Sequence, residues 1–134
     1  KQINLNAYHK HSWYLIKNCE LLGYSIAEKN IIAAIARYHR KTLPKKRHEA
    51  WQNLVSREDK IVASDMSLIL RLAASIDKKP DTTISSINIS LIDDQIIFKL
   101  NGSDLEKDLL LEKWSLESCS NALLELKNLR LKVI

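Results

Sequence analysis

The chain has 134 residues, 46% of them apolar and 28% charged, with a formal net charge of +5. That is the composition of a globular protein able to bury one core or two small ones. Its only glycines, Gly23 and Gly102, exclude a Gly-rich phosphate loop and a self-contained nucleotide-binding domain, and no His-Glu-x-x-His or cysteine cluster occurs. No apolar run approaches the roughly 20 residues that span a bilayer, and no secretory pattern opens the chain. Cys19 and Cys119 stand alone and read as reduced core thiols, so a cytoplasmic location with no membrane contact is expected. The chain opens on Lys1 and is expected to be a piece of something longer.

Residues 8–22 place Tyr8, Leu15, Ile16, Cys19 and Leu22 near helical spacing before Gly23, a C-terminal stop. Ser25-Ile26-Ala27-Glu28 is a capping box, predicting a helix to about Lys41 that buries Ile31, Ile32, Ile35 and Ala36. Pro44 ends that region. A short helix over 48–55 is expected to bury Trp51 and Leu54. A longer one, from Ser56 to about Asp77, carries Ile61, Val62, Met66, Ile69, Leu70, Ala73 and Ile76 as its inward face. With no sustained heptad, these helices read as a compact bundle.

Character changes at Lys78-Lys79-Pro80-Asp81. Ile84, Ile87, Ile89 and Leu91, then Ile96, Ile97, Phe98 and Leu100, flank Asp93-Asp94 as a β-hairpin, and Asn101-Gly102 is a second turn signal. A third strand is expected over 108–114, then a helix capped by Ser115 that carries Cys119, Ala122, Leu123 and Leu126. Leu129, Leu131 and Val133 alternate as a last strand. The predicted class is α+β: a helical domain over 1–79, then a small α+β domain over 80–134 built as hairpin, strand, helix, strand.

Charge is uneven. Residues 1–80 hold fifteen Lys and Arg against seven Asp and Glu, while 81–134 hold six against nine. From Arg37 to His48 the chain carries Arg37, Arg40, Lys41, Lys45, Lys46 and Arg47 without one acid. Such a run attracts polyanions by its field, and in many proteins it is only a solvated face. Beside it stand Tyr8-His9-Lys10-His11-Ser12 and Arg37-Tyr38-His39-Arg40-Lys41. Residues two apart on a helix lie about 200° apart, so His9 and His11 cannot share a ligand. His11 and His39 are the inward pair, and Asp77 is an acid that could return to them. Two histidines and one distant acid are too few to specify a site, and they read first as packed core-edge histidines and a loop carboxylate.

Three blocks then resemble a known family: Tyr8 through Asn18 with Leu22-Gly23-Tyr24, Ala36-Arg37-Tyr38-His39-Arg40-Lys41-Thr42-Leu43-Pro44, and Leu70-Arg71-Leu72-Ala73. They are similar to the C-terminal part of the exopolyphosphatase / guanosine pentaphosphate phosphohydrolase (Ppx/GppA) family. The resemblance implies that catalysis, phosphate loops and a divalent metal such as Mg belong to N-terminal actin-like domains, so no cofactor and no catalytic residue is expected in this chain. It implies a helical domain like those of HD phosphohydrolases, lining a polyphosphate channel. In that light His11, His39 and Asp77 are at most remnants of a metal site, since the His-Asp pair would precede Lys1. Family members commonly dimerise.

Together, charge and resemblance assign binding of polyphosphate or guanosine pentaphosphate to Lys10, His11, Arg37, His39, Arg40, Lys41, Lys45, Lys46 and Arg47. The arginines suit bidentate contacts and the lysines act as point charges. Two other readings stand beside this one: a truncated HD-type metal phosphohydrolase, and a nucleic-acid-binding module. The last lacks the aromatic strand surface of single-strand readers, having only Phe98 in the hairpin.

Overall fold

The computed structural model describes residues 8–20, 22–40, 42–77, 84–102 and 109–134. The architecture is α+β, and the chain forms two compact units, Lys1–Leu70 and Arg71–Ile134.

The first unit opens with α1 (Tyr8–Asn18), shorter than the expected 8–22. Its last turn closes on itself: Asn18 Nδ2 donates to Tyr14 O at 2.8 Å, and Cys19 N–H reaches Ile16 O at 3.3 Å. Gly23 follows at φ +85°, a left-handed conformation with open space around its Cα. Trp13 is buried and Ile16 packs beside it, whereas Leu15 is exposed and Leu22 is 92% exposed. The inward face therefore lies one step round from the predicted one. The bulky indole fills the space beside α2, and Leu15 is left on the outer side.

The capping box forms as expected. Glu28 N–H donates to Ser25 Oγ at 3.1 Å and Ser25 N–H donates to Glu28 Oε1 at 3.2 Å, starting α2 (Ile26–Tyr38). Its buried residues are Ala33, Ala34 and Tyr38, with Ile31 packed alongside. Ile32, Ile35 and Ala36 are only half-buried. Small side chains let a neighbouring helix approach closely, so the alanines are the most buried part of the contact and Ile31 packs at its side.

His48 then caps α3 (Glu49–Gln52), and Leu54 is buried just beyond it. Burial of such a side chain contributes about 1.5–3 kcal/mol. Ser56 Oγ accepts from Asp59 N–H at 3.0 Å and starts α4 (Arg57–Ile76). The expected inward face of α4 is overturned for Ile61, Val62, Met66, Ile69, Leu70 and Ala73, which are exposed, and holds for Ile76, which packs against the core of the second unit. Ala63 joins the core of the first unit, and Ser67 and Leu68 are buried. Ser67 can be buried because its hydroxyl donates to Ser64 O at 2.8 Å within the helix.

In the second unit, β1 (Ile84–Ile92) and β2 (Gln95–Gly102) form the predicted antiparallel hairpin, with Asp93 at φ 54° in the turn. Asn101 and Gly102 end the ladder, Gly102 opposite Ile84. The segment Lys78-Lys79-Pro80-Asp81 lies outside the described residues.

The expected third strand is overturned, because α5 (Leu110–Glu117) occupies that stretch. Residue 108 lies outside the described residues. Leu109, Glu112, Ser115, Leu116 and Cys119 are buried while Leu110, Leu111 and Trp114 are exposed. The helical stripe thus mixes polar with apolar residues, and its period does not show in an apolar pattern. Ser115 accordingly sits inside α5 and caps nothing; Cys119 is the N-cap of α6 (Ser120–Lys127). Ala122 and Leu123 are buried from α6 as expected. Asn128, left-handed at φ 54°, closes α6: its N–H bonds Leu124 O at 3.0 Å and that of Leu129 bonds Leu123 O at 3.3 Å.

The last strand, β3 (Arg130–Val133), joins β2 in parallel, giving the order β1-β2-β3. Parallel neighbours need a long crossover, and α5 with α6 provide it. Arg130 is tied to the hairpin turn by a 2.8 Å ion pair with Asp94 and a 2.8 Å bond from its N–H to Asp94 O. Phe98, Leu100, Leu109 and Leu116 form this unit's core, with Leu72, Ile76, Leu131 and Val133 packed against it.

Candidate functional site

Four cations of the first unit act on one ring. The connection after α2 turns at 45–48, where His48 N–H donates to Lys45 O at 2.9 Å. Gln52 Nε2 holds the same turn by donating to Lys46 O at 3.1 Å. His48 then meets α2, its Nδ1 3.0 Å from Tyr38 Oη. The two rings stack with centroids 5.7 Å apart and 20° between planes, and Trp51 meets Tyr38 edge-on at 6.3 Å.

The field at this ring is strongly positive. Burial lowers the His48 pKa from its ordinary value, and the charges of Arg37, Arg47, Lys45 and Lys10 lower it further. Four of the sequence-predicted cations, from α1, α2 and the 45–48 turn, thus act on one imidazole. Burial also raises the pKa of Tyr38, partly offset by the charge and hydrogen bond of Arg37. Arg37 lies over the Tyr38 ring at 5.9 Å, and its Nε is buried without a hydrogen-bond partner among the described residues.

The remaining predicted residues fall as follows. Lys10, Arg40, Lys45, Lys46 and Arg47 are exposed, and His11 is half-buried. Lys41 lies outside the described residues, as does the side chain of His9. His39 caps the end of α2, where its Nδ1 contacts Ala36 O at 2.8 Å. That contact makes Nδ1 the protonated nitrogen, so the neutral ring offers only an acceptor at Nε2. Asp77 follows α4 in the second unit and is exposed.

Among the described residues no group of three or more His, Cys, Asp or Glu is placed to hold a metal ion. His11 and His39 belong to the first unit and Asp77 to the second, and the charged groups that act on His48 are cations. A half-buried imidazole among lysines and arginines attracts anions and repels other cations. No described helix is long and apolar enough to cross a membrane.

Sequence reasoning missed His48 and Tyr38 as parts of this site. The available signal was Pro44: a proline turn between two charged flanks brings positions 38 and 48 together.

Comparison with known proteins adds to this geometry. The family model for Ppx/GppA phosphatase, domain III, matches residues 1–121. A stretch of 43 residues, 32% of this chain, is 46% identical to the guanosine-5'-triphosphate,3'-diphosphate pyrophosphatase of Pseudoalteromonas translucida (strain TAC 125). That stretch spans only 9% of the relative's length. With the family model covering most of its length, the chain belongs to the Ppx/GppA phosphatase family, in the part described as domain III.

Proposed function

We propose that this chain is the polyanion-binding part of a hydrolase acting on phosphoanhydrides. Its cationic cluster holds polyphosphate or a guanosine pentaphosphate, while the catalytic groups lie in other domains of the parent protein. Those domains, actin-like by the family resemblance, would also carry the divalent metal. The single observation behind this reading is the convergence of Lys10, Arg37, Lys45 and Arg47 on His48. Family membership supports the substrate class, since the relative from Pseudoalteromonas is named for a pyrophosphatase of a guanosine polyphosphate.

Polyphosphate carries about one negative charge per phosphate, so it releases counterions as lysines and arginines replace them. Binding should weaken log-linearly with salt, with a slope of about −0.7 per phosphate contacted if it behaves like a single-stranded nucleic acid. The test is titration of long-chain polyphosphate into the full chain at several salt concentrations, with no hydrolysis expected. Salt-independent binding, no binding, or tighter binding of single-stranded RNA in competition would overturn the reading.

A further inference from the structure

One nitrogen of His48 is engaged by a buried partner. Nδ1 faces the Tyr38 hydroxyl at 3.0 Å, and Tyr38 is only 1% exposed, held between His48 and Trp51. A hydroxyl donates to the Nδ1 of a neutral imidazole and accepts from that of an imidazolium, so this contact survives protonation. In the protonated ring both nitrogens carry hydrogen, so Nε2–H can donate to an anion while Nδ1–H stays on the Tyr38 hydroxyl. Among the described residues Nε2 makes no hydrogen bond. His39 differs, its Nδ1 being committed to the carbonyl of Ala36.

Among the described residues, the charges that shift the His48 ring are all positive: Lys10 from α1, Arg37 from α2, and Lys45 and Arg47 from the turn. Tyr38 faces it from α2 as a neutral hydroxyl, its ionisation raised by burial. Glu49, the next residue in the chain, is paired with Lys17 at 2.7 Å. Lys60 of α4 lies over the Trp51 ring at 5.9 Å. Without an anion, a second positive charge at His48 is disfavoured. An arriving phosphate reverses that balance.

We propose that His48 is the proton-linked ligand of this anion site: Nε2–H donates to a phosphate oxygen while Tyr38 holds Nδ1, and the ring takes up one proton from solvent as the anion binds. This rests on reading the basic cluster as a polyanion site and adds a regulation to it. Binding then strengthens as pH falls, by up to about tenfold per pH unit for a single linked proton. The window runs from the lowered pKa of the anion-free ring up to the pKa of the anion-bound ring.

The test is calorimetry of long-chain polyphosphate binding to the full chain near about pH 6, in two buffers of different ionisation enthalpy. Internal phosphates of a long chain stay fully ionised there, so proton uptake reports on the protein. Uptake of close to one proton is expected, with loss of that uptake and a flat pH profile in His48→Gln. NMR titration of the His48 ring in the unaltered chain gives a second readout, with its pKa expected to rise on adding polyphosphate. Binding without uptake, uptake unchanged in His48→Gln, or a His48 titration indifferent to polyphosphate would overturn this inference and leave the polyanion site standing. Absence of polyphosphate binding would overturn both.

Discussion

Tyr38 Oη lies 3.0 Å from His48 Nδ1, and this bond joins the end of α2 to the start of α3 across ten residues. Those between them include Arg40, Lys41, Lys45, Lys46 and Arg47. Closing such a connection gathers like charges that an open chain would keep apart, a cost the buried aromatic contacts must offset.

That closure leaves a trace in stability. The folded-state pKa of His48 is depressed by burial and by neighbouring cations, so between that value and the ordinary His pKa the unfolded chain binds more protons. Stability then rises with pH through this window, is fully present above the unfolded pKa, and is lost as pH falls through the folded one. Urea denaturation at a series of pH values should show this slope in the unaltered chain and a shallower one in His48→Gln. Added polyphosphate should flatten it.

Replacing Lys45 and Arg47 by alanine should weaken polyphosphate binding and reduce the salt slope by roughly 1.4, at about 0.7 per lost contact. Both side chains are exposed, so the melting temperature should hardly move. Salt titrations of the two proteins measured side by side check this, and equal slopes would remove these cations from the site.

Gly23 adopts φ +85°, and a methyl group added there would meet nothing within 4 Å. Gly23→Ala should therefore cost about 1–2 kcal/mol through backbone conformation alone. Gly23→Asn should cost less. Two residues on, Ser25→Ala removes half of the capping box and should cost about 1 kcal/mol. Chemical denaturation measures all three.

Leu54 and Leu116 are each almost fully buried, one in either unit. Truncation of either to alanine should cost about 2–5 kcal/mol, the spread reflecting how far each site can collapse. Val55→Ala beside the first, at 91% exposure, should cost almost nothing. Equal losses at 54 and 55 would contradict the described packing.

The contrast between α2 and α5 shows how far a sequence reading reaches. The capping box at Ser25 and Glu28, the hairpin turn at Asp93-Asp94 and the proline after Thr42-Leu43 are chemistry between near neighbours, and each fell where expected. The stretch 108–114 reads as strand because its leucines run together, yet its buried side includes Glu112 and Ser115. On α4 Ile61 and Ile69 face outward, while Ala63 and Ser67 are buried.

From the sequence by itself come the positions of most breaks and caps, the α+β class, the basic half of the chain and the family blocks, since all of these depend on residues close together or on total charge. Which face of each helix turns inward, and which histidine stands among the cations, were decided only by the tertiary structure. Close approach selects small side chains whatever their polarity, and a bond such as Tyr38–His48 exists only once the chain has folded back on itself.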